Sequence, residues 1–291
     1  MNQILTLTNR NFKLFLRNKS AVFFSFLSVL IILVLYILFL GKTQVDAVKS
    51  TIGNVVGIEN LVNSWLMAGI IFIATVTVAF GVLSRFVEDR EDKKTSDFLV
   101  TPVNRIKIVF SYVLSTVTIS SLLSIILFLL AEIYIISQGG SLLSSIRIIE
   151  MLILIVVSSI LSSTILLFII SYLRNMQSVG IINGIMSAFL GFLSGVYMPI
   201  GIMPNFAQTI ANILPTSHIA SIARQIFLDD SIKKVFNNAP TNIIDTYRKT
   251  NGIDLYFLDH KISFGTSFLI IVITIIIFTI LNIVRFRKLK D

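Results

Sequence analysis

Apolar residues in this chain come in long runs rather than in narrow stripes. Six runs are long enough, and carry few enough charges, to cross the roughly 30 Å apolar core of a bilayer as helices. They cover about Ala21 to Leu40, Leu61 to Leu83, Val109 to Ser137, Ile148 to Tyr172, Val179 to Met198 and Phe264 to Val284. The first run follows Arg10, Lys13, Arg17 and Lys19, as the apolar part of a secretory signal would. It is too long for that role, since such a segment spans about 7 to 15 residues and ends in small residues. It is expected to be a retained span.

Between the runs the pattern changes character. Residues Met1 to Lys19 place Ile4, Leu5, Phe12, Phe15 and Leu16 near one helical face and Arg10, Lys13 and Arg17 near the other, which predicts a helix lying in the membrane interface. Lys42 to Asn60 is polar and carries no motif. Arg85 to Lys107 is densely charged and far longer than the two to eight residues that suffice to join neighbouring helices. Within it Thr95, Ser96 and Asp97 are N-cap residues for a helix through Phe98 and Leu99 that Pro102 limits. The acids Glu88, Asp89, Glu91 and Asp92 favour the N-terminus of that helix and are suited to pairing with basic residues on a partner.

After the fifth run, Pro199, Pro204 and Pro215 rule out one straight helix. The apolar pieces between them are about 10 residues long, which predicts two short helices dipping into, or lying on, the outer leaflet, followed by a polar cap from Asp229 to Lys261. The fifth run itself carries small residues at Gly180, Gly184, Ala188, Gly191 and Gly195, spacing that lets helices approach closely. Packing within the chain is the simpler reading, and packing against a second subunit is the other. Ser111, Ser115, Thr118, Ser158, Ser159, Ser162 and Ser163 are expected to bond mainly to their own helices.

Composition supports an integral membrane protein. The 291 residues are 55% hydrophobic and only 13% charged, against about 25% charged in soluble domains. Most Lys and Arg residues flank one side of the runs, including Arg174, Arg285, Arg287, Lys288 and Lys290, while Lys42, Lys49 and Arg147 flank the other. Both termini are therefore expected in the cytoplasm of a plasma-membrane protein. This placement, beside lipid headgroups, also accounts for the net charge of +9 without nucleic acid. No cysteine is present, which excludes disulfides and thiolate sites.

No phosphate-binding GxxxxGK[ST], HExxH or GxSxG motif occurs, and His218 and His260 have no second candidate ligand nearby in sequence, so no metal site and no catalysis by the chain alone are expected. Glu132 is the one carboxylate clearly inside a run, about a turn from its end. The bland reading is a side chain reaching interfacial water; the sharper one is a polar contact along a cargo path. Glu150 and Arg147 read as headgroup anchors.

These features together resemble the membrane subunits of ABC-2 type transporters, along nearly the whole chain. The coupling-helix pattern is matched by Glu91, Thr95, Phe98, Leu99, Thr101, Pro102, Val103 and Arg105, with Asp97 among the docking residues; Lys94 stands where the family commonly has glycine, so the preceding turn is expected to differ. The outer hairpin pattern is matched by Gly195, Pro199, Met203, Pro204, Leu214 and Pro215. The resemblance implies an all-α fold of one domain, with six spans, an interfacial N-terminal helix, a cytoplasmic coupling helix within 85–107 and an outer hairpin and loop at 199–262. It implies a second permease copy or a similar chain, and two ATPase subunits that bind the ATP and Mg. The expected cargo is amphiphilic: a drug, an antimicrobial or toxin-like peptide, or a lipid. A sensor or scaffold relaying ligand binding at the outer loop is the alternative.

Overall fold

The computed structural model describes residues 2–35, 41–94, 104–237, 239–257 and 260–288. In chain order these form α1 (Asn2–Arg17), α2 (Lys19–Leu35), α3 (Gly41–Ile52), α4 (Ile58–Glu91), α5 (Arg105–Ser137), α6 (Ser145–Ile170) and α7 (Met176–Leu193). A 3₁₀ turn at Ile200–Ile202 leads to α8 (Asn205–Ile213), α9 (Pro215–Val235), α10 (Thr241–Thr250), β1 (Tyr256–Phe257), β2 (His260–Lys261) and α11 (Phe264–Lys288). Among the described residues, α4, α5, α6, α7 and α11 are long and apolar enough to cross a membrane. The first expected run is described as a 17-residue α2; its remainder, 36–40, lies outside the described residues.

Helix α4 is the shaft of the bundle. It is apolar on all sides over most of its length, and such a helix must be buried all round. Leu61, Ala68, Ala74, Ala79 and Leu83 are fully covered, and α2, α3, α5, α6, α7 and α9 all pack on it. Its 34 residues extend for about 50 Å at 1.5 Å each. The first part of the charged stretch, Arg85 to Glu91, forms the last two turns of α4, because Phe86 and Val87 continue the buried apolar positions in register.

Polarity is turned inside out around this shaft, as a lipid solvent favours. Helix α5 points Leu122, Ile126, Leu129, Leu130 and Ile133 outward and buries Ser111, Ser115, Ser120 and Ser124. As expected, most of the bonded hydroxyls return to their own helix: Ser115 donates to the Tyr112 carbonyl at 2.9 Å, Thr118 to that of Leu114 at 2.8 Å and Ser163 to that of Ser159 at 2.6 Å. Thr75 and Ser158 share a 2.6 Å hydrogen bond between α4 and α6.

Several boundaries differ from expectation. The fifth run stops at Leu193 rather than Met198, because Gly195 turns left-handed with φ of +68°. Of the two short hairpin helices, α8 has 9 residues but α9 has 21, since its buried face continues through the expected polar cap to Val235. The stretch from Lys42 holds a helix, α3. A two-stranded hairpin, Tyr256 paired with Lys261 and Phe257 with His260, interrupts the all-α expectation. Helix α1 also packs differently: Phe15 is buried, but Leu5 and Leu16 stay exposed and Arg10 turns inward.

Where α4 ends, the chain reverses through Lys93, a residue other than glycine at φ of +61°. A left-handed residue just past a helix C-cap is usually glycine, and a side chain there costs about 1 kcal/mol. The departure anticipated at Lys94 concerns the turn into residues 95–103, which lie outside the described residues. Lys93→Gly is expected to stabilise the protein by about 1 kcal/mol, read as a higher midpoint of thermal unfolding in detergent; an unchanged or lower midpoint would mean that the turn carries no strain.

Candidate functional site

Two clusters of buried polar groups sit at opposite ends of α4. At the end carrying α1, Asp89 has no exposed surface. Its Oδ2 accepts from the Tyr112 hydroxyl at 2.6 Å and from Arg10 Nη1 at 3.0 Å. Arg85 Nε stands 3.5 Å from the other oxygen as an ion pair, and Arg85 Nη1 donates to both oxygens of Glu88, at 3.0 and 2.9 Å. One carboxylate therefore joins α1, α4 and α5. Phe86 packs edge-on against Tyr112 and Phe286, with ring centroids 5.3 and 5.6 Å apart, and so brings in α11.

The next residues reach the turn between α6 and α7. Arg90 Nη1 donates to the Ser171 carbonyl at 3.4 Å, and Glu91 Oε2 accepts from the Met176 N–H at 2.9 Å, filling an otherwise unpaired donor at the start of α7. Asn104 caps α5 by accepting from Ile106 N–H at 3.0 Å. Of the anticipated docking residues, Glu91 and Arg105 thus flank the segment at the ends of α4 and α5. Thr95, Asp97, Phe98, Leu99, Thr101 and Pro102 lie outside the described residues. The four acids expected to serve that segment are used within the chain: Asp89, Glu88 and Glu91 as above, and Asp92 with Lys94 Nζ at 2.6 Å.

Sequence reading overlooked the Asp89 hub. Its signal was present, since Asp89 lies three residues past Phe86 and seven past Val82 on the buried face.

At the other end, the outer-hairpin residues converge on Arg224 of α9, which has no exposed surface. Its Nη2 donates to the carbonyls of Ser194 and Gly195 at 2.9 and 2.7 Å, and Nη1 to that of Gly252 at 3.3 Å. A cation thereby meets the carbonyl-rich ends of two helices, α7 and α10. Both glycines are left-handed, and a β-carbon on either would lie within about 3 Å of Ile200 or Arg224. The guanidinium also lies 5.1 Å from the centre of the Trp65 ring, whose Nε1 donates to the Asn251 carbonyl at 2.7 Å. Complete burial pushes the Arg224 group down to about 9, still charged at neutral pH.

Prolines 199, 204 and 215 start the 3₁₀ turn, α8 and α9 respectively, where a missing N–H is tolerated. Asp254 in the same cap accepts from Arg248 Nε at 2.7 Å and Lys261 Nζ at 2.6 Å. Burial alone would raise its carboxyl, but these two cations outweigh that and hold it below the usual range.

The small-residue ladder divides. A β-carbon on Gly191 would collide with the Tyr197 ring and one on Gly195 with Ile200, so these two serve the chain's own turn. Gly180 and Gly184 have open space where a β-carbon would stand, and Ala188 is exposed. Glu132, expected to reach water, is 5% exposed and accepts from the Leu143 N–H at 3.2 Å through Oε2. His218 is buried against the Ser267 hydroxyl at 3.0 Å, and among the described residues no group of three His, Cys, Asp or Glu side chains is placed to hold a metal ion.

Arg224→Met would strand three carbonyls, at about 1–3 kcal/mol each. The variant is expected to lose about 3 kcal/mol or more, with Arg224→Lys intermediate because it keeps the charge but not the planar fork. Thermal unfolding of Arg224→Met at the wild-type midpoint would show that the cap is held by other contacts.

Both clusters lie on one shaft, and neither contains a nucleophile, a metal-binding set or a phosphate loop. Among individual curated proteins there is no match to the chain. The family model described as ABC-2 type transporter matches residues 2–228, from α1 into α9, and so includes both the Asp89 hub and Arg224. The chain belongs to the ABC-2 type transporter family, as a membrane component of an ABC transporter.

Proposed function

We propose that the chain is the permease of an ATP-driven exporter that moves an amphiphilic drug, peptide or lipid outward, with two permease chains and two copies of a separate ATPase that binds the ATP and Mg. The first apolar run, described over α2, is the sixth span. The termini and the Asp89 end face the cytoplasm, on the strength of the flanking Lys and Arg residues, and the Arg224 end faces outward. The observation that carries this reading is the Asp89 hub. Residues 95–103 connect two helix ends that Asp89 ties to each other and to α1, so force applied there by a closing ATPase pair would enter the bundle as a unit.

Helix α4 would carry that displacement to the outer cap, which packs on its far end through Trp65. The open face at Gly180, Gly184 and Ala188 favours a second permease chain as the partner of α7, because among the described residues the two glycines have open space where a β-carbon would stand and Ala188 is exposed.

Phe98→Glu combined with Leu99→Glu is expected to abolish co-purification with the ATPase, or to leave ATP hydrolysis no longer stimulated by cargo. Retention of both assembly and stimulation would exclude this segment as the docking element. Because the natural chain has no cysteine, Gly184→Cys gives a clean test of pairing: oxidation in the membrane should yield a disulfide-linked dimer, while Cys at the lipid-facing Ile133 should not. Equal crosslinking at both positions would remove α7 as the subunit contact.

A further inference from the structure

Glu132 sits deep in a cavity of about 200 Å³ at the Arg224 end of the bundle, between the start of α4, the end of α5, the 139–143 turn and the end of α9. Only one of its oxygens is used. Oε2 accepts from Leu143, whereas Oε1 is buried with no hydrogen-bond partner. The same cavity is lined by Asn60, whose Oδ1 is likewise buried and unpartnered. Of the other two charged residues of the lining, Asp230 stands 3.5 Å from Arg147 as an ion pair, and Lys234 is turned to Ser141, another residue of the lining, to which it donates at 3.3 Å. Among the described residues no cation lies within ion-pair distance of Glu132.

An isolated carboxylate taken out of water costs several kcal/mol unless a positive charge or a proton meets it. Both unmet side-chain atoms of this cavity are acceptors, so an anion does not fit and a guest must bring positive charge or donors. The carboxylate beside Asn60 is single, and a divalent cation normally gathers more anionic oxygens than that. The volume exceeds that of several waters at about 30 Å³ each. We propose that Glu132 and Asn60 form a binding site for one monovalent cation, either an alkali-metal ion or the ammonium group of an amine. This does not depend on the exporter reading. A filled site would link α4, α5 and α9 at the end where α9 already holds the cap through Arg224.

The test uses the full chain purified in detergent at neutral pH. Thermal unfolding is followed while Na⁺, K⁺ or methylammonium replaces choline, a quaternary cation without N–H donors, at constant ionic strength. At least one of the three should raise the midpoint saturably, by about 5 °C at a hundredfold excess over its dissociation constant. Glu132→Gln should abolish the rise, and the exposed control Glu150→Gln should retain it. A response to metal ions alone identifies an alkali-ion site, and a response to methylammonium alone identifies an amine site. Identical midpoints in all four cations, or a full response in Glu132→Gln, would overturn the proposal and leave a water-filled or protonated site. Should Glu132→Gln fail to fold, equilibrium binding of radiolabelled Na⁺, K⁺ and methylammonium to the wild-type chain decides it: saturable binding of any one sustains the site, and none overturns it.

Discussion

The end of this molecule far from Asp89 depends on a single guanidinium placed among carbonyls. In an apolar bundle a helix cannot simply end, because its last carbonyls have no water to accept from. Arg224 resolves this for two helices at once. It donates to Ser194 and Gly195, where α7 stops, and to Gly252 just past the end of α10. Neighbouring side chains of α9 continue the pattern: Ser217 donates to the Leu193 carbonyl at 3.0 Å and Ser221 to that of Ile253 at 2.7 Å. Helix α9 therefore acts as a strip of donors laid across helix ends. The left-handed glycines 195 and 252 follow from the same constraint, since only a backbone without β-carbons lets two chain reversals close around one side chain.

The opposite end solves the complementary problem, a buried anion, with the same economy. Asp89 is met at Oδ2 by Tyr112 and Arg10 rather than by solvent, and at Oδ1 by the Arg85 ion pair alone. Removing either partner would leave a charge uncompensated in an apolar setting, so α1 and α5 are held to α4 more firmly than their exposed surfaces alone would require. With one hub at each end and apolar packing between them, α4 is suited to move as a rod. That stiffness is what the proposed coupling from segment 95–103 to the cap requires.

Much of this was legible in the sequence because the bilayer makes a strong demand on length. Five runs appear as helices where expected, and α1 was visible from its two-faced pattern. What escaped has physical causes. The boundary at Leu83 failed because a rising density of charge masked an apolar register that continues through Phe86 and Val87. Helix α3 and the far half of α9 are mixtures of polar and apolar residues whose helical state is set by packing on α4 and on the cap, which local composition does not encode. Arg224 lies in a segment expected to dip into or lie on the leaflet, just before the polar cap, and its burial is a consequence of where Gly195 and Gly252 come together in space. The anticipated acids at Glu88 to Asp92 were read as facing a partner, because the sequence cannot show that Arg10, 79 positions away from Asp89, reaches back to one of them.

The two hubs differ in the partners they hold. Arg224 bonds to backbone, so its partners are helix ends that cannot change identity without unwinding. Asp89 bonds to side chains, Arg10 and Tyr112, with Arg85 as an ion pair at 3.5 Å. Exchanging those partners would uncover a buried charge, so α1, α4 and α5 are held to move together at that end, and the Arg224 cluster must travel whole at the other. A displacement entering at segment 95–103 should accordingly pass into α1, α4 and α5 as a unit and reach the cap as a rigid-body shift of α9 and the turns it holds.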